Sequence, residues 1–128
     1  MKKRIIRIIS ICLILTMVFA ISAFAASGTF SSASLASGYG KTIFSSKTMS
    51  KSTDVDITQD YATITSTKKD ASVRYVLKRS DTGVEMDYDY LYGEDSTTLN
   101  PVFNSVSSSL VAYNSESSSI KFAGDYSY

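Results

Sequence analysis

Acidic residues recur at every second position in one segment of the chain, and carboxylates at that spacing could bind a cation. Glu85, Asp87 and Asp89 share one face of a predicted strand, and Glu94 and Asp95 follow in a polar loop. Calcium takes about six to eight oxygen ligands, and carboxylates near a strand end can supply some of them. No D-x-D-x-D-G loop accompanies these residues, so the sequence favours a solvated face paired with basic side chains. We therefore predict no metal site and no cofactor.

Tyrosine is the second residue type in this segment that could take part in recognition. The chain has nine tyrosines and no tryptophan, and Tyr92 precedes Glu94 and Asp95 just beyond the predicted strand. Exposed aromatic rings stack on sugars and are enriched at protein interfaces. The competing interpretation places most tyrosines at the rim of the core. We predict Tyr92, Glu94 and Asp95 as ligand contacts, with an extracellular protein or a glycan as the partner.

Residues 26–128 lack the side chains on which many catalytic centres depend. They contain no histidine, and the only cysteine of the chain is Cys12. Ser-His-Asp and Cys-His centres are therefore excluded, as is an ordinary zinc site. A glycosidase needs two carboxyl groups across a cleft, for which this length leaves little room. We predict that the protein has no catalytic residues and is not an enzyme.

The first 25 residues have the pattern of a secretory signal peptide. A basic start is followed by an apolar run over residues 8–19 and by Ala23-Phe24-Ala25, which matches an A-x-A cleavage site. The alternative is a permanent membrane anchor, but the run is rather short to span a bilayer. We predict cleavage after Ala25, export to the extracellular space, no membrane association afterwards, and a bacterial source.

Export changes the charge of the protein. Nine basic and twelve acidic residues remain in residues 26–128, so the net charge is −3 rather than the +1 of the whole chain. A weakly acidic domain has no electrostatic attraction to nucleic acid, and none is expected as a partner.

The acidic and tyrosine residues belong to a predicted β-hairpin over residues 72–91. Its arms alternate in polarity, and Ser80-Asp81-Thr82-Gly83 forms the loop, with Gly83 suited to a positive φ. The register that best matches the faces turns Tyr88 and Tyr90 inward. It pairs Leu77 with Met86, Tyr75 with Tyr88, Val73 with Tyr90, Lys78 with Glu85, and Arg74 with Asp89.

The rest of the exported chain is also typical of β-structure, because it is rich in Ser, Thr and Tyr and shows no helical period. Residues 26–40 are Ser/Gly-rich and are predicted to be flexible or an edge strand, and residues 41–128 are predicted to form the domain. Two further hairpins are expected, one joining residues 53–57 to 61–67 and one joining residues 106–112 to 120–126. Eight or nine short strands predict an antiparallel two-sheet β-sandwich of immunoglobulin-like or jelly-roll type.

These features together indicate a small secreted, non-enzymatic binding or surface-associated module. Two other functions fit the same sequence. One is a bacteriocin or toxin-like antagonist of neighbouring cells. The other is a self-assembling extracellular protein whose Ser/Thr-rich edge strands pair between copies.

Overall fold

The computed structural model describes residues 26–128, and these residues form eight β-strands. The predicted signal peptide, residues 1–25, lies outside the described residues. Within residues 26–128 there is no helix long and apolar enough to cross a membrane. The strands are β1 (Ser27–Leu35), β2 (Gly40–Met49), β3 (Val55–Ile64), β4 (Ser72–Arg79), β5 (Glu85–Tyr92), β6 (Asp95–Leu99), β7 (Val106–Asn114) and β8 (Ile120–Ser127).

The strands form two antiparallel sheets, ordered β1-β8-β3-β6 and β2-β7-β4-β5. Their pairing follows from one long ribbon, in which β4 pairs with β5, β3 with β6, β2 with β7 and β1 with β8. Rolling this ribbon brings β3 against β8 and β4 against β7. The predicted all-β, two-sheet sandwich is confirmed, and its strand order is that of an eight-stranded jelly roll.

The core lies between the two sheets and is built by the alternation of side chains along each strand. Val55 and Ile57 of β3 and Val73, Tyr75 and Leu77 of β4 are fully buried or nearly so. Burial of apolar area at roughly 25 cal/mol per Å² is the main stabilising term for such a layer. Residues from all eight strands contribute to the same cluster, including Phe30, Phe44, Leu91, Leu99, Leu110 and Phe122.

Two of the three predicted hairpins are wrong. Residues 55–64 form one continuous strand, so no turn occurs at Gln59-Asp60. Strands β7 and β8 belong to different sheets, and the connection between them crosses the sandwich. At this crossing the Asn114 side chain donates hydrogen bonds to the carbonyls of Leu35 and Ser118, each at 2.8 Å. Apolar alternation fits a distant partner strand as well as an adjacent one, so the pattern did not fix the pairing.

The central hairpin forms where predicted, but its register is different. Lys78 opposes Glu85 as expected, whereas Leu77 opposes Asp87, so that Met86 is the extra residue of a β-bulge. The bulge reverses the faces of the rest of β5, and Arg74 consequently opposes Tyr90 rather than Asp89. The predicted inward orientation of Tyr88 and Tyr90 is therefore wrong.

Candidate binding surface

Three tyrosines project from the outer face of the β2-β7-β4-β5 sheet. Tyr88, Tyr90 and Tyr92 alternate along β5 and are 52%, 53% and 60% exposed. Alternate residues of a strand lie about 7 Å apart on the same face. The Tyr88 and Tyr90 rings meet edge to face, with centroids 6.2 Å apart and planes at 88°. We call these three side chains and Arg74, which lies among them, the tyrosine face.

Arg74 is held in place by groups on β5. Its guanidinium lies 4.4 Å from the centroid of the Tyr88 ring and donates two hydrogen bonds to the Glu85 carboxylate, at 3.1 and 2.7 Å. The hydrogen bonds from Arg74 lower the pKa of Glu85, and the same bonds raise the pKa of Arg74. The pair is partly exposed, so its contribution to stability is small. Its main effect is to fix the orientation of a cation beside an aromatic ring.

Two valines form the floor of this face. Val76 and Val111 oppose each other on β4 and β7, and Tyr88 lies across from Val76 on β5. Both valines are buried, yet neither belongs to the cluster between the sheets. They are covered on the outer side of the sheet, so this side has a small apolar layer of its own beneath the polar and aromatic side chains.

The carboxylates of Asp87 and Asp89 have structural partners. Asp87 accepts a hydrogen bond from the backbone N–H of Tyr88 at 2.9 Å, and Asp89 accepts one from that of Tyr90 at 2.8 Å. Their second oxygens accept from Asn100 N and from the Thr97 hydroxyl on the β6 side. The two aspartates therefore connect the facing edges of the sheets and are satisfied without a cation.

The predicted contact residues divide between two sides of the molecule. Tyr92 belongs to the tyrosine face, whereas Glu94 and Asp95 line a shallow, open recess of about 230 Å³ beside β3 and β6. Asp60 adds a third carboxylate to the recess, which is completed by Thr58, Gln59 and Ser96. Among residues 26–128, no group of three or more acidic side chains has a geometry that could hold a metal ion. The recess is a polar depression lined by three carboxylates.

Gln59, which lines the recess, belongs to a buried chain of hydrogen bonds. The Tyr75 hydroxyl donates to Gln59 Oε1 at 2.8 Å, and Gln59 Nε2 donates to the Gly93 carbonyl at 2.7 Å. Tyr75 and Gln59 are both fully buried. The chain links β4 of one sheet to β3 of the other and to the β5–β6 turn, so it fixes the end of the strand that carries the tyrosines.

The sequence prediction missed Tyr88, Tyr90 and Arg74 because the bulge at Met86 is not apparent from polarity alone. One residue in the sequence did indicate the orientation of this strand. Leu91 follows the same alternation as Asp87 and Asp89, so an uninterrupted strand cannot bury Leu91 without turning the two aspartates inward. In the structure both aspartates lie on the side of β5 that faces the other sheet, at the edge of the sandwich, where Thr97 of β6 and Asn100 just after it donate hydrogen bonds.

No protein-family model matches the chain, and searches of curated proteins and of solved structures gave no match.

Proposed function

We propose that this protein is an exported, non-enzymatic binding module that recognises an extracellular protein through the tyrosine face. The observation that carries the proposal is the exposure of three tyrosines, with an arginine stacked on one of them, on the same face of one sheet. Tyrosine and arginine, together with tryptophan, are the residue types enriched among those that dominate protein–protein binding energy.

The ring geometry favours a protein over a glycan as the partner. Sugars stack on open ring faces, but Arg74 covers one face of Tyr88, and the Tyr90 ring lies at 88° to it. This arrangement presents ring edges, hydroxyl groups and a guanidinium rather than a coplanar platform. Such a mixed surface suits the backbone and side-chain groups of a protein.

A rigid support also favours binding. Val76 and Val111 pack beneath the face, and the Tyr75–Gln59–Gly93 chain holds the end of β5. Aromatic side chains on a rigid strand lose little entropy on binding, since they have only two side-chain torsions.

The test is a binding measurement on two separated fractions of the producing cells, the surface proteins and the envelope polysaccharides. The protein should bind the surface-protein fraction, and the Tyr88→Ala/Tyr90→Ala double variant should bind it at least tenfold more weakly. Tenfold corresponds to about 1.4 kcal/mol, which is below the usual loss at a dominant contact.

Tyr61→Ala is the matched control, because Tyr61 is 41% exposed but lies on β3 of the other sheet. This variant should bind like the unchanged protein. Binding to the polysaccharide fraction alone, or equal binding by the double variant and the unchanged protein, would contradict the proposal.

A further inference from the structure

The edge strands of the two sheets differ in how well they are protected against pairing with another chain. Strand β5 has its outward N–H groups at Tyr88 and Tyr90 occupied by the aspartates described above. Strand β6 has only five residues, and the N–H of Ser96 donates to Asp95. Strand β2 is interrupted by two register shifts along β7. Bulges, short length and inward charges are the devices by which proteins block sheet edges.

Strand β1 has a regular, unpaired edge over its first half. Ala26 and Tyr128 exchange both backbone hydrogen bonds at 2.8 Å, and the same register continues to Ser32. In an antiparallel ladder, hydrogen-bonded pairs alternate with pairs that exchange no hydrogen bonds. Since Ala26 forms a bonded pair, Gly28 and Phe30 also direct their backbone N–H and C=O groups towards β8. The N–H and C=O groups of Ser27 and Thr29 consequently point away from the sheet. In the described part of the chain, β1 is the terminal strand of its sheet.

The side chains of β1 do not oppose pairing either. The strand reads Ser-Gly-Thr-Phe-Ser-Ser-Ala-Ser-Leu and carries no charge, so two copies would not repel each other. Its outward-facing residues Ser27 and Thr29 are small and exposed. Further along, the Lys41 ammonium donates to the Ser31 carbonyl and closes the edge there. The open part of the edge is therefore the segment around Gly28.

We propose that β1 of one copy pairs antiparallel with β1 of a second copy, with the two-fold axis at Gly28. In this register Ser27 of each copy opposes Thr29 of the other, and the four backbone groups that point outward in each copy are satisfied. Among the described residues, this register pairs residues 26–30 of the two copies, so the paired segment ends before Ser31 and leaves the Lys41 contact intact. The pairing would join the two β1-β8-β3-β6 sheets into one continuous sheet of eight strands.

The association closes at two copies. An isologous two-fold contact uses the same edge on both partners, so it leaves no free copy of that edge for a third chain. The opposite edge of the same sheet is β6, which is short and bonded across to β5 by Thr97. The tyrosine face lies on the other sheet, so dimerisation leaves it accessible and does not depend on the proposed function.

Light scattering across a range of protein concentrations tests the association. The protein purified from cells expressing the full chain should shift from monomer to dimer as its concentration rises. Thr29→Lys should shift this equilibrium at least tenfold towards monomer, because two lysines would be brought together at the paired edge. Ser96→Lys on β6 is the matched control and should leave the equilibrium unchanged. A protein that stays monomeric at all concentrations, or a dimer insensitive to Thr29→Lys, would overturn the proposal.

Disulfide trapping tests the register and does not depend on the folding of the lysine variant. Residues 26–128 contain no cysteine, so introduced thiols have no background in that region. A mixture of Ser27→Cys and Thr29→Cys proteins should form a cross-linked pair in at least fivefold greater yield than either variant alone. Equal yields in the mixture and in the separate variants would contradict a two-fold axis at Gly28.

Discussion

At the scale of single residues, the buried hydroxyl of Tyr75 is the most consequential polar group of the fold. It donates to Gln59 Oε1, and Gln59 Nε2 donates in turn to the Gly93 carbonyl oxygen. Burial of the phenol raises the pKa of Tyr75 far above its ordinary value, because the charged form would lose its hydration. The native state thus keeps a proton that the unfolded chain releases at about pH 10.

This difference predicts that folding stability is retained below about pH 10 and falls as the pH rises further. Tyr75→Phe should remove most of that alkaline loss, although the raised pKa of Tyr128 will leave a part of it. Chemical denaturation as a function of pH measures both effects. An alkaline loss of the same size in the variant would show that Tyr75 is not its source.

The same variant should be less stable than the unchanged protein near neutral pH. Phenylalanine leaves the buried Gln59 Oε1 without its donor, at a cost of about 1–3 kcal/mol. A variant as stable as the unchanged protein at pH 7 would contradict the role of the buried chain.

At the scale of elements, the central hairpin was predictable because its two strands are neighbours in sequence and are joined by a short loop with Gly83. The β-bulge at Met86 was not predictable, because the alternation of polarity is compatible with a regular register and with the bulged one. What decides between them is the presence of β6 beside Asp87 and Asp89, which is a tertiary feature. The hairpin sequence carries one indication of the tyrosine orientation, the apolar Leu91, but it does not contain the donors that bind the two aspartates.

Substitution by alanine should reduce stability by very different amounts at Gly83 and at Gly124. Gly83 has a φ of 72° and open space around it, so Gly83→Ala should cost only about 1 kcal/mol of backbone strain. At Gly124 a Cβ would clash with the Thr58 carbonyl oxygen and would lie 2.8 Å from the Phe30 ring, so strands β8 and β3 would have to separate.

We expect Gly124→Ala to cost about 3 kcal/mol or more, at the upper end for overpacked sites. Urea unfolding of both variants measures the difference. Equal losses at the two positions would contradict the close approach of β3 and β8.

At the scale of the whole molecule, composition and alternation were sufficient to predict an all-β, two-sheet sandwich, because strands such as β3, β4 and β7 each have an apolar face. They were not sufficient to predict the topology. Only β4 and β5 pair as sequence neighbours, whereas β1 with β8 and β2 with β7 join the ends of the ribbon. Such distant pairings are selected by the closure of the whole ribbon rather than by local sequence.

The candidate surface, like the fold, was predictable from the sequence only in part. Tyr92 was identified from its type and its place at the end of a strand, and it lies on the tyrosine face. Glu94 and Asp95 were grouped with it because they are close in sequence, but the turn at Gly93 carries them to the recess beside β3. Proximity in sequence thus grouped three residues that the structure places on two different sides of the molecule.

The central claim is that Tyr88, Tyr90 and Tyr92 face outward and form the contact surface for a protein partner. Nitration of tyrosines, mapped by mass spectrometry with and without the surface-protein fraction of the producing cells, tests both parts together. We predict that these three residues are nitrated in the free protein and protected in the bound protein, while Tyr61 reacts in both and Tyr75 in neither. Unchanged nitration of all three on binding, or nitration of Tyr75 as fast as that of Tyr88, would contradict the account.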